Sequence, residues 1–81
     1  MRPARLGGKL LAIRRYFNCS LAQMAEKLSN EDFNVSRTSI SQYELNHNEP
    51  SLPILLKYAR LAGISMDVLA DDKMDLPERF K

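Results

Sequence analysis

Apolar residues recur at spacings of three and four along most of the chain, a pattern that places one apolar face on each of several helices. In the first segment the apolar stripe consists of Leu6, Leu10, Ile13 and Phe17. No stretch alternates polar and apolar residues for long enough to predict a strand. We therefore expect an all-α fold.

Residues that typically cap helices divide the chain into five helical segments. Asn18 tolerates the left-handed conformation and can end the first helix near Phe17, and Gly63 can end the fourth. The second to fifth helices each have a serine before their first turn: Ser20, Ser36, Ser51 and Ser65. The fourth segment has the most regular apolar face, with Leu61 lying off it: Leu52, Leu55, Leu56, Ala59 and Ala62.

Composition excludes several classes of function. The chain has 81 residues, the size of one domain, and contains no apolar run long enough to cross a membrane. No signal-peptide pattern follows the first charged residues, so we expect a cytoplasmic protein close to the nucleoid. Cys19 is the only cysteine and His47 the only histidine, which predicts no metal site, no cofactor, no catalytic residues and no small-molecule substrate. The chain is not expected to be an enzyme.

Charge is distributed unevenly, although the net charge is only +2. Residues 1–15 contain five basic residues and no acid, whereas residues 61–81 contain five acids and three bases. This asymmetry is typical of a protein that meets a polyanion with one end. Ordinary solvated charge on a small domain is the alternative interpretation.

Four blocks of sequence, in order, carry a resemblance to a known family: residues 20–28, 35–44, 49–52 and 55–65. Together they resemble the XRE-type helix-turn-helix family, which includes the phage repressors and Cro proteins. The resemblance implies a five-helix bundle with helix 36–44 in the DNA major groove. It also implies a transcriptional repressor that binds double-stranded DNA as a homodimer on an inverted-repeat operator. We expect the DNA-binding domain to cover residues 1–72, and residues 73–81 to form a tail or docking arm.

A recognition helix needs polar side chains that reach base edges from its first turns. Arg37, Thr38 and Gln42 meet this need, since arginine can pair with guanine and glutamine with adenine, while threonine can offer its hydroxyl or a methyl contact to thymine. Ser41 can add a contact. A merely solvated helix face is the alternative. The candidates for phosphate contact are the helix start, the following loop and the basic N-terminal segment: Ser36, Ser39, Asn46, His47, Asn48, Arg5 and Lys9.

The resemblance also implies a structural ion pair between Arg14 and Glu44, although Arg14 could instead contact phosphate. Apolar residues near the end of the chain are candidates for a dimer interface, or else for core packing: Met66, Val68, Leu69, Leu76 and Phe80. A protein-binding adaptor or antitoxin-like module that uses the last helix and tail is the alternative function.

Two features depart from the family pattern. The connection before Ser36 is longer by about five residues, so residues 29–33 either lengthen the second helix or form an extra turn with Phe33 against the core. Leu21 stands where family members often have a glutamine that binds phosphate, and Gln23 could replace it only if the helix were shifted.

Overall fold

Five α-helices and one short 3-10 helix follow one another in the computed structural model, which describes residues 4–32 and 34–80. No strand occurs within these residues, so the expected all-α, five-helix fold is confirmed. The α-helices are α1 (Leu6–Tyr16), α2 (Leu21–Leu28), α3 (Arg37–Glu44), α4 (Leu52–Ala62) and α5 (Met66–Ala70). The 3-10 helix spans Glu78–Phe80. No helix in the described part of the chain is long and apolar enough to cross a membrane.

The capping residues determine where the helices begin and end, but not all of them act through their side chains. Ser20 and Ser36 each accept a hydrogen bond from the backbone three residues on, and Gly63 ends α4 in the left-handed conformation at φ 70°. Ser51 and Ser65 precede their helices without such a bond. For Ser51, Pro53 in the first turn of α4 removes one of the two N–H groups that an N-cap oxygen normally accepts from.

The core lies between α1, α3, α4 and the second half of α2, and it is made largely of the predicted apolar faces. Its fully buried large side chains are Tyr58, Leu10, Ile13, Met24, Leu28, Ile40 and Leu69. The prediction that Leu52 belongs to the apolar face packed on the core is wrong, because this first residue of α4 is 68% exposed. Tyr58 lies in the core instead, with no hydrogen-bond partner for its hydroxyl among the described residues. Leu61 packs half-buried against the core.

The C-terminal segment folds back onto α1. Leu76 and Phe80 are buried in the core cluster, and the Phe80 ring lies 4.7 Å from that of Tyr16. Arg79 donates a hydrogen bond of 2.6 Å to the carbonyl of Ala62, where α4 ends. A cation at that position also complements the negative end of the helix dipole. The tail therefore completes the core of the five helices.

The long connection between α2 and α3 does not extend α2, which ends at Leu28. Ser29 ties its two ends together: its hydroxyl donates to Ala25 O at 2.8 Å and accepts from Val35 N at 2.8 Å. Glu31 and Asp32 are exposed bends between these contacts. The expected position of Phe33 lies outside the described residues. Despite the extra residues, the end of α2 and the segment just before α3 are therefore held together through Ser29.

Candidate nucleic-acid interface

The start of α3 has a capping serine and further backbone N–H groups in its first turn. Ser36 has extended geometry, and its hydroxyl accepts from Ser39 N at 3.1 Å and lies 3.1 Å from the Ser39 hydroxyl. The first turn of α3 contains no acidic residue. An N-terminus of this kind suits an anion, because the remaining N–H groups and the helix dipole both favour negative charge.

The inner side of α3 is fixed to the rest of the chain. Ile40 is fully buried, and Glu44 accepts two hydrogen bonds from Arg14 of α1, at 2.7 and 3.0 Å. Arg14 also donates to Cys19 O at 3.0 Å, so one guanidinium joins α1, the α1–α2 turn and the end of α3. The hydrogen bonds to Glu44 raise the pKa of Arg14 further above its usual value. Arg14 is thus engaged within the fold rather than available for phosphate.

The outer side of α3 carries the four residues expected to contact bases. Arg37 and Thr38 are exposed, and Ser41 and Gln42 are half-buried. All four line one shallow groove together with Leu21, Leu45 and His47. No hydrogen bond or ion pair within residues 4–32 and 34–80 engages the side chains of Arg37, Thr38 or Ser41. The groove therefore offers polar groups that remain free to bind.

Asn46 has a structural role that the sequence did not reveal. Its backbone is left-handed, with φ 60°, and its side chain accepts from Gly7 N at 3.0 Å and donates to Ala4 O at 3.1 Å. Gly7 allows this approach, since a Cβ there would lie 2.5 Å from the carbonyl oxygen of Glu44. The side chain of Asn46 thus joins the end of α3 to the start of α1, which corrects its expected role in phosphate binding.

Two other residues of this loop remain near the groove. His47 is exposed, and its backbone N–H donates to Gln42 O at 2.9 Å. Asn48 donates from its side-chain amide to Gln42 Oε1 at 2.8 Å. Sequence reasoning missed this contact, and the only available signal was that Asn46 tolerates the left-handed turn that brings Asn48 back to α3.

Two basic residues of the N-terminal segment, Arg5 and Lys9, face the acidic end of the chain, not the groove. The ammonium of Lys9 donates to Val68 O at 2.6 Å and Asp71 O at 2.8 Å, and the residue is 4% exposed. Burial, with a contribution from the nearby charge of Arg5, lowers the pKa of Lys9. Arg5 pairs with Asp75 and donates to Asp72 O. The expectation that Lys9 contacts phosphate is corrected, because its ammonium is buried on two carbonyls of this chain. For Arg5, which is exposed and paired with Asp75, a phosphate contact stays a prediction.

The candidates for a dimer interface divide into two groups. Leu69, Leu76 and Phe80 are buried within the chain, so they are not exposed to a partner. Met66 and Val68 are half-buried and pack at the edge of the core. The three buried residues are equally closed to a partner of the alternative protein-binding module.

The structure also shows where Leu21, which departs from the family pattern, and its suggested replacement Gln23 lie. Leu21 is half-buried and lines the groove beside α3. Gln23 accepts from Ser20 N at 2.8 Å and completes a capping box, so its side chain stabilises the start of α2. Within the described residues no group of His, Cys, Asp and Glu side chains is arranged to hold a metal ion.

Comparison with known proteins agrees with this geometry. The profile of a helix-turn-helix family matches residues 10–69, most of the chain. A similar solved structure is that of the P22 c2 repressor protein in complex with synthetic operator 9T in the presence of Tl+. Its TM-score is 0.71 at 25% identity, over 83% of this chain and 94% of that chain. No curated protein sequence matches significantly.

Proposed function

The chain belongs to the helix-turn-helix family, and from this premise we propose that it is a sequence-specific DNA-binding transcriptional regulator, acting as a repressor. Its mechanism is occupancy of an operator. The observation that carries the proposal is the groove along α3, where four polar side chains lie on one rigid element and three of them have no partner among the described residues. That arrangement suits the edges of base pairs in a major groove.

The similar P22 c2 structure supports double-stranded DNA as the partner, because it is a repressor in complex with an operator. In this chain, Arg37, Thr38, Ser41 and Gln42 would contact bases. Ser36, Ser39 and His47 would contact phosphates, where the exposed N-terminus of α3 adds backbone donors. Phosphate contacts set the position of the protein on the duplex, and base contacts give its sequence preference.

We also propose a homodimer that binds an inverted repeat. Two-fold symmetry places the two copies of α3 about 34 Å apart, one turn of DNA, so that both enter the same face of the duplex. Met66 and Val68 on α5 are the partly exposed apolar residues available for the contact between subunits. Sedimentation with and without duplex DNA tests this point, and a 1:1 complex on an inverted-repeat site would contradict it.

The test of DNA binding is selection of bound sequences from random duplexes, followed by affinity measurements over a range of salt concentration. We expect one enriched motif, and an affinity that falls as salt rises because bound phosphates release counterions. Arg37→Ala should weaken binding to the selected site by about 5- to 150-fold, the range for a lost bidentate base contact.

Arg15→Ala is the matched control, since Arg15 is an exposed arginine in the last turn of α1 and does not line the groove. It should leave the selected motif unchanged. Equal losses in both variants would show that binding follows total charge rather than the surface of α3. Repression itself is tested by placing the selected site across a reporter promoter, where expression should fall when the protein is present.

A further inference from the structure

We propose that Asn48 is a positioning residue for sequence reading: it holds the carboxamide of Gln42 so that this side chain selects adenine. The inference rests on the proposed DNA-binding function and adds one residue to it. Asn48 lies in the loop after α3 and was expected only to contact phosphate. The structure instead directs its side-chain amide to Gln42 Oε1, at 2.8 Å.

The loop brings Asn48 to this position by a defined backbone path. The left-handed turn at Asn46 reverses the chain directly after α3. The backbone N–H groups of His47 and Asn48 then both point to Gln42 O, at 2.9 and 3.4 Å. Since Asn46 is itself fixed by its bonds to Gly7 N and Ala4 O, the loop is held at both sides. Asn48 therefore meets Gln42 through a supported turn.

A glutamine that reads adenine must present an acceptor to N6 and a donor to N7 at the same time. A free carboxamide can rotate, and each rotation that loses this match also loses selectivity. The bond from Asn48 uses one lone pair of Oε1 and leaves the other lone pair and both N–H hydrogens of Nε2 for a base. If oxygen and nitrogen are exchanged in both amides, the same bond forms with its direction reversed.

The surroundings of this pair favour a role in binding rather than in folding. Gln42 is half-buried and Asn48 is exposed, so their bond adds little to a core. Gln42 lines the groove that also contains Arg37, Thr38 and Ser41, and Asn48 contacts Gln42 from the loop after α3. In contact with DNA the pair would lose surrounding water, and a hydrogen bond becomes electrostatically stronger in such an environment.

The experiment compares base preferences selected from random duplexes by the wild type and by Gln42→Ala, Asn48→Ala and the double variant. Gln42→Ala should remove the preference for one A·T pair and so identify the position that Gln42 reads. Asn48→Ala should reduce the discrimination at that same pair by about 2- to 12-fold, the range for one hydrogen bond, while other positions keep their preferences. In the double variant, loss of Asn48 should have no further effect on discrimination.

A structural or phosphate-binding role for Asn48 gives different results. A phosphate contact would lower affinity for every duplex equally and leave the preference at every base pair unchanged. That outcome, or an unchanged preference in Asn48→Ala, would overturn this inference while the proposed function stands. A Gln42-dependent pair other than A·T would also overturn it. If the wild type enriches no sequence, the proposed function fails and this inference fails with it.

Discussion

The polar side of α3 and the basic side of α1 both contain candidates for DNA contact in the sequence, but their side chains differ in whether they have partners in the fold. Arg37 and Thr38 are exposed at the start of α3 and have no partner among the described residues. On α1, Lys9 is buried on the carbonyls of Val68 and Asp71, and Arg14 is bound to Glu44. One helix keeps its polar groups available, and the other uses its cations to hold the fold together.

The comparison shows that a run of basic residues does not by itself locate a polyanion site. The five basic residues of the N-terminal segment suggested such a site, yet three of them, Arg5, Lys9 and Arg14, are engaged by groups of the same chain. The acidic C-terminal segment supplies several of those groups. The charge asymmetry of the sequence therefore reflects, in large part, a contact within the chain between the basic N-terminal segment and the acidic C-terminal segment.

The largest effect is expected at the link between the two helices. Glu44→Ala removes the carboxylate, which is 7% exposed, and leaves the partly buried Arg14 without its partner. Breaking a buried pair in this way costs about 3–5 kcal/mol. Urea unfolding should show a loss of that size. A loss below about 1 kcal/mol would place the pair with ordinary surface ion pairs and would weaken the distinction between α1 and α3.

Lys9 tests whether the cations of α1 serve folding alone. Lys9→Met keeps most of the buried stem but leaves the carbonyls of Val68 and Asp71 without their donor. We expect a loss of about 1.5–3 kcal/mol in the free energy of unfolding, as for a hydrogen bond to a charged group. The salt dependence of DNA binding should not change. Lys27→Met, at an exposed lysine of α2, is the control and should leave stability nearly unaffected.

Most of the fold could be predicted because helix patterns and caps are local. The starts of α2 and α3 follow from Ser20 and Ser36, whose hydroxyls bond within their own first turns. The end of α4 follows from Gly63, whose left-handed backbone stops the helix locally. The residues on the outer face of α3 also follow from their spacing, once the family resemblance identifies this helix as the one expected to contact DNA.

The rest could not be predicted because it depends on where distant segments meet. Lys9 is buried only because the short helix α5 ends beside it and leaves carbonyls unsatisfied. Leu52 matches the apolar face of α4 but precedes the point where that helix reaches the core. The contact of Asn48 with Gln42 requires a loop reversal whose geometry is set by α1 through Asn46.

Two adjacent glycines test the spacing between α1 and α3. A Cβ at position 7 would lie 2.5 Å from the backbone oxygen of Glu44, whereas a Cβ at position 8 would meet nothing within 4 Å. Gly7→Ala should therefore cost about 1–3 kcal/mol through overpacking. Gly8→Ala should stabilise α1 by about 0.5–1 kcal/mol, because it only removes backbone freedom from the unfolded chain. Thermal unfolding of the two variants should give shifts of opposite sign.

The smallest expected effect concerns acid. Asp72 accepts hydrogen bonds from the backbone N–H groups of Arg5 and Ala4, and these lower its pKa below the usual 3.8. Since the unfolded chain then takes up a proton at higher pH than the folded chain, the contribution of Asp72 is complete above about pH 4. It is lost as pH falls through the lower, folded-state pKa.

Unfolding of the wild type and Asp72→Asn should therefore be compared between pH 7 and pH 2. The stability difference should stay constant above about pH 4 and shrink below it, and it should be small because the contact faces solvent. Glu26→Gln, at an exposed acid of α2, controls for the general effect of removing one charge. Equal stability of wild type and Asp72→Asn at every pH would mean that the asparagine keeps these backbone contacts and that the charge of Asp72 adds nothing. In that case the two ends of the chain would be joined by Lys9 and the buried tail residues, and the acidic segment would neutralise Arg5 without stabilising the fold.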